Sequence, residues 1–278
     1  MSAIRLVPAT LAYAAILVIA AAFVGALDPH AQETVVSGMS TNLHNLASGR
    51  LDTLIGSAFV AGGGMGIWLP GMVCLLASGE LAWRSGRLVV VFAVGHVGAT
   101  LIVAAGLAVA IRIGLLPVSL MGADDVGVSY GAAAVLGALT ATLPRRMQPA
   151  WVGWWLGTAL LTASTLDFTA VGHVVALALG MGLSVLLDHG PHRTSRSWAL
   201  LAVGVGFGYL LLTASSLAPA SGGLAGVLIA LLAQQIGRRC SAARPPIRTG
   251  GGPHPNLARQ ILGSGSTASD PTGVPCCR

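Results

Sequence analysis

Long apolar runs recur along the chain, at about 8–27, 54–78, 88–111, 127–143, 150–166, 169–187, 198–216 and 222–236, each closed by a short polar or glycine-containing break. About 20 helical residues cross the hydrocarbon of a bilayer, with about 17 as the lower limit. The pattern therefore predicts an all-α, polytopic transmembrane bundle of eight spans, or seven if 222–236 fails. The 127–143 and 150–166 runs only just qualify, and 222–236 needs help from its flanks. Pro144, Arg145, Arg146 and Pro149 divide two helices rather than interrupt one. The first run exceeds the apolar stretch of about 7–15 residues in a cleaved signal peptide, so it reads as a retained helix.

Charge in the connections tests the span count. Arg5 precedes the first run, and the connection after it carries Asp28, Glu33, Arg50 and Asp52. Then come Glu80 with Arg84 and Arg87, Asp124 with Asp125, Arg145 with Arg146, Asp167 alone, and Asp188 with Arg193 and Arg196. Net-positive and non-positive connections alternate. Because arginine-rich connections stay cytoplasmic, this pattern predicts an integral protein of the plasma membrane with both termini inside.

Composition agrees. The chain of 278 residues is 54% hydrophobic, only 9% charged, and has a mean hydropathy of +0.80. Soluble domains carry about a quarter charged residues. Every one of the 15 basic residues is arginine, in short clusters between apolar runs, so no nucleic-acid surface is expected and the bilayer is the expected partner. Cys74, Cys240, Cys276 and Cys277 lack metal-ligand spacing, and neither a metal nor a cofactor is implied.

These signals give an organisation: a first helix (1–27), an outer connection partly embedded in the membrane (28–66), a core (67–187), additional helices (188–236) and a disordered cytoplasmic tail (237–278). The embedding follows from Gly62, Gly63, Gly64 and Gly66, each of which weakens a helix by up to about 1 kcal/mol. Non-helical backbone at membrane depth needs a covering of protein.

Two residues carry candidate chemistry. Ser129 lies just inside its span after the Asp124–Asp125 connection, and His173 lies just inside another after Asp167. One span separates them, so their helices run the same way and can lie side by side with both side chains at similar depth. A Ser–His pair suffices for nucleophilic hydrolysis, the imidazole taking the hydroxyl proton and returning it to the leaving amine. The packing alternative stays open: Gly127 and Gly131 flank the serine at the four-residue spacing that lets membrane helices touch, and His173 can bond a backbone carbonyl. His96 reads as a packing or hydrogen-bonded histidine, Asp124 and Asp125 as solvated acids, and His189 and His192 as a solvated turn.

Several segments, in order, resemble the rhomboid intramembrane serine proteases. "SGRLDTLIGSAFVAGG" (48–63) is similar to the end of that family's first outer loop. "ASGELAWRSGRLVVVFAVGHVGATL" (77–101) resembles its second-to-third helix turn, with Glu80 in the usual place. "GVSYGAAAVLGAL" (127–139) resembles the serine helix, and "GHVVALALG" (172–180) the histidine helix. The resemblance covers roughly 48–187. It implies a six-helix core with one or two extra helices, Ser129 as nucleophile and His173 as base. It places Gly127, Tyr130 and Gly131 at the oxyanion and helix-packing positions, and Gly172, Ala176 and Gly180 in packing near the base. Three positions depart from the pattern. "GGGMGIWLPGM" (62–72) lacks the second-helix His and Asn, Tyr130 replaces the glycine after the serine, and Ala133 stands where a supporting tyrosine falls. Two functions follow: a serine protease cleaving transmembrane segments near the outer face, or an inactive relative that binds partner transmembrane helices. An ion-coupled transporter lacks its usual intramembrane charges.

Overall fold

The computed structural model describes residues 7–60, 65–126, 128–165, 167–187 and 195–242, leaving aside the side chains of 65–67, 195–196 and 240–242. Gly127, Gly62–Gly64, the turn with His189 and His192, and the tail from 243 lie outside the described residues. The chain forms two compact units, Met1–Ile236 and Gly237–Arg278. Helices α1 (Pro8–Gly25), α2 (Pro29–Met39), α3 (Leu43–Ala47) and α4 (Thr53–Gly56) come first. They are followed by α5 (Met65–Arg112), α6 (Ser129–Ala138), α7 (Gln148–Ala163), α8 (Phe168–Leu183), α9 (Ser195–Thr213) and α10 (Pro219–Ala242). No strand occurs among the described residues, and the architecture is a polytopic helical bundle.

The 48 residues of α5 are two helices joined at Arg84, whose φ of 70° and ψ of 163° break the helical path. Gly79 and Gly95 lie on either side of the break and pack against Val135 and Ala134, adjacent residues of α6. Sixteen residues of straight helix would hold them about 24 Å apart. The run is a hairpin with limbs 65–83 and 85–112, as the separate apolar runs at 54–78 and 88–111 require.

One carboxylate joins this hairpin to α1. Pro8 starts α1, and no side chain caps it locally, so its first amides need partners from elsewhere. Glu80, 2% exposed, supplies them: its oxygens accept from Ala9 N (2.9 Å), Thr10 N (2.8 Å), Thr10 Oγ1 (2.6 Å) and Ser85 Oγ (2.6 Å). An acid is tolerated here because its acceptor sites are occupied.

At the centre stands α6, buried at every position from Tyr130 to Ala138. Alanine and glycine leave no bulk to hold neighbours off, so α8 approaches at backbone distance. A methyl group on Gly180 would collide with the Ala134 carbonyl, and one on Gly137 with the Leu177 carbonyl. Helix α9 closes another side, with Leu136 fitted against Gly208 and Phe207 edge-on to Trp68, ring centres 5.0 Å apart. Helices α7 and α10 meet through Gly153 and Gly157 against Gly226 and Gly222, the small-residue spacing of membrane contacts.

The segment between α1 and α5 is tied down by hydrogen bonds. Tyr13 Oη donates to the Ala58 carbonyl (2.6 Å), and Asn45 Nδ2 donates to the carbonyls of Ser37 and Ser40. Its buried polar residues, Thr41, Thr53 and Ser57 among them, have hydrogen-bond partners. Arg112, at the last turn of α5, sets a cation at the end of the hairpin that leads towards Asp124 and Asp125. The connection still stays net negative with Asp124 and Asp125, and a helix C-terminus favours positive charge there.

Replacing Glu80 with alanine strands two amides and two hydroxyls. Each stranded group costs about 1–3 kcal/mol, so Glu80→Ala is expected to lose at least about 3 kcal/mol of stability in denaturant titration of the detergent-solubilised protein. Thr10→Val should lose about 1 kcal/mol. Equal, small losses for both would show that the carboxylate does not hold α1.

Candidate active site

Ser129 is the first residue of α6 and is half-buried; its hydroxyl makes no hydrogen bond among the described residues. His173 lies in the second turn of α8, whose start is capped by Asp167 accepting from Ala170 N at 3.2 Å. The imidazole is 8% exposed, and its Nε2 has no hydrogen-bond partner among the described residues. The structure therefore brings the two helices into contact without joining the two side chains by a hydrogen bond.

Tyr130 accounts for that geometry. Its ring meets the His173 ring edge-on, with centres 5.5 Å apart and planes at 81°, and passes directly over Gly172. Any larger residue at 172 would strike the phenol. Successive helical residues project about 100° apart, so Ser129 and Tyr130 leave α6 in different directions. The stripe continuing from Ser129 runs through Ala133 to Leu136, and Leu136 faces α9. The Tyr130 stripe continues through Ala134, whose carbonyl meets Gly180 of α8 while its methyl meets Gly95 of α5, to Gly137, which meets the Leu177 carbonyl of α8. Gly131, a further step round, receives the Phe92 ring from α5. Ala176 is fully buried one turn beyond His173.

Above the site, the chain entering α6 is clipped to the α2–α3 junction. Thr41 N donates to the Asp125 carbonyl (3.0 Å), and Asp125 N donates to Ser40 Oγ (2.8 Å). Asp125, read from the sequence as a solvated acid, is instead largely enclosed. Burial pushes its carboxyl from 3.8 up to about 6, and the nearby Tyr130 hydroxyl pulls it partly back. Among the described residues no group of three His, Cys, Asp or Glu side chains is placed to hold a metal.

A second Ser–His contact lies elsewhere in the fold. Ser57 Oγ lies 3.1 Å from His96 Nε2, both residues buried. Thirty-nine positions separate them, and the only signal was a histidine inside an apolar run.

The Asp125 shift carries a pH signature. A folded-state pKa above the unfolded one means that this group's stabilisation is complete below about 3.8 and is lost as pH rises through about 6. Asp125→Asn keeps both backbone hydrogen bonds and mimics the protonated acid. Its melting temperature should match that of the parent below 3.8 and exceed it above about 6. An offset independent of pH would contradict the assignment.

No curated protein and no solved structure matches the chain. A family model described as rhomboid-like protein matches residues 2–192, which take in α1 to α8 with Glu80, Ser129 and His173. The chain belongs to the rhomboid-like protein family.

Proposed function

We propose that this rhomboid-like membrane protein engages transmembrane helices of partner proteins without cutting them, with its termini on the cytoplasmic side of the plasma membrane. The observation that carries this reading is the Tyr130 ring seated on His173 and Gly172, on the side of α6 where a nucleophile would have to meet its base. The absence of His and Asn from 62–72 points the same way, since losing one oxyanion donor costs about 100- to 1000-fold in turnover. The alternating charges of the connections support the orientation.

Proteolysis is the second reading, favoured by one specific observation: the Ser129 hydroxyl and His173 Nε2 are both unengaged among the described residues. In that case Ser129 Oγ would attack the scissile carbonyl as His173 takes its proton. The amine would leave with that proton, and water would release the acyl group. Tyr130 would have to vacate the face of His173 first.

A serine-directed fluorophosphonate probe separates the readings. Wild type should label no more than Ser129→Ala or His173→Ala in purified protein, and Tyr130→Gly should not lower the signal. Labelling of wild type that disappears in both Ser129→Ala and His173→Ala would overturn the non-proteolytic reading.

A further inference from the structure

Helix α10 is almost entirely exposed. Among its described side chains only Pro219 and Gly223 are buried, and Leu224, Leu228, Ile229 and Leu232 are each more than half exposed. It also lies outside residues 2–192, the part of the chain that matches the family model. Its glycines Gly222, Gly223 and Gly226 all seat on one face of α7. A methyl group on Gly226 would strike the Gly153 carbonyl, one on Gly222 the Gly157 carbonyl, and the reverse holds for Gly153 and Gly157. Such closeness brings Cα–H groups against carbonyl oxygens across the two helices, and only small residues permit it.

Two observations show that α10 does not fully satisfy this seat. Thr158 of α7 is fully buried with its Oγ1 pointing at Gly223, where a Cβ would stand 2.6 Å away, and that hydroxyl has no hydrogen-bond partner among the described residues. Helix α10 covers it with a glycine and leaves it unpaired, a costly state for a polar group away from water. The turn that delivers α10 is strained as well: Ala214 and Ser215 are consecutive non-glycine residues with φ of 48° and 72°. Left-handed backbone at such residues persists only where the surroundings impose it, so the turn can relax when α10 leaves α7.

We propose that this face of α7 is a docking site for a transmembrane helix of a partner protein, one with small residues at the spacing of Gly222, Gly223 and Gly226, and that α10 covers it as a resident competitor until such a helix arrives. This role rests on the helix-engaging function and supplies its surface, the partner's sequence pattern and its regulation. The present occupant shows what fits: a Gly-Gly-x-x-Gly helix seats at backbone distance, and larger side chains at those positions would not. The unpaired Thr158 hydroxyl leaves α10 short of the best occupant.

The test uses the full-length protein at one copy per lipid nanodisc, which prevents exchange of α10 between copies. Each disc also holds a synthetic leucine-rich transmembrane peptide bearing Gly-Gly-x-x-Gly and a photoactivatable group, or a control peptide with leucine in place of each glycine. The minor state of a two-state element is commonly about 0.1–10% populated. Gly226→Leu drives α10 off the Gly153 carbonyl. Opening the seat fully should raise labelling of α7 by the glycine peptide at least about tenfold and leave the control peptide unchanged. Gly226→Ala, a smaller obstruction, should give an intermediate rise, so the outcome does not depend on one variant folding. Adding Gly153→Leu to Gly226→Leu should return labelling to the control level. Equal labelling of α7 by both peptides, or labelling unaffected by either change at Gly226, would overturn the proposal. Labelling by the glycine peptide on other helices alone would overturn it while leaving the helix-engaging function standing, and no labelling anywhere would overturn both.

Discussion

The Glu80 carboxylate is the constraint on which the rest of the structure depends. In hydrocarbon, helix-end amides without partners are expensive, and the start of α1 has no local cap. Glu80 answers that need from 70 residues away while also receiving Ser85 from the other side of the Arg84 break. One side chain therefore fixes where α1 begins and how the hairpin turns. Once α1 is placed, its Tyr13 reaches the Ala58 carbonyl, which positions the short helices of the connecting segment. That segment in turn clips Asp125 and so sets the entry into α6. An apolar cavity is another product of this placement, since α1 forms one of its walls.

The bundle interior depends on a different economy. Small residues on α6 and α8 let backbones touch, and dispersion between closely packed surfaces replaces the hydrophobic drive that lipid cannot supply. That closeness makes the orientation of each residue consequential. With glycine at 172, a phenol can pass between α6 and α8. The substitution that most alters the site's chemistry, Tyr130, is thus accommodated by a glycine on the opposite helix. The two positions act as a pair, and neither can be interpreted alone.

Much of this was legible in the sequence. The apolar runs located the helices, and the Arg84–Arg87 break located the hairpin turn, because hydrophobic length and charge are local properties. The resemblance placed Glu80, and the small-residue spacing marked α6 and α8 as packing helices. Rotation about a helix axis was not legible in α6. Ala132, Ala133, Ala134 and Gly131 make every face of it nearly alike, so nothing reveals that Tyr130 faces α8. The Ser57–His96 contact was hidden for another reason: it joins a polar connection to an apolar helix, and sequence periodicity carries no information across that distance. Asp125 misled in the same way, because its enclosure comes from Ser40 and Thr41, which lie far away in the chain.

The brevity of α6 has a consequence for the membrane itself. Ten α-helical residues, extended by the short 3-10 turn Leu139–Thr142, rise only about 20 Å, against a hydrocarbon thickness of about 30 Å. On an exposed helix that mismatch would thin the bilayer or force flanking residues to snorkel. Here the neighbouring helices meet the lipid, and α6 never does. The thickness of bilayer that this protein fits is set by its peripheral helices, leaving α6 free to be as short as its packing requires.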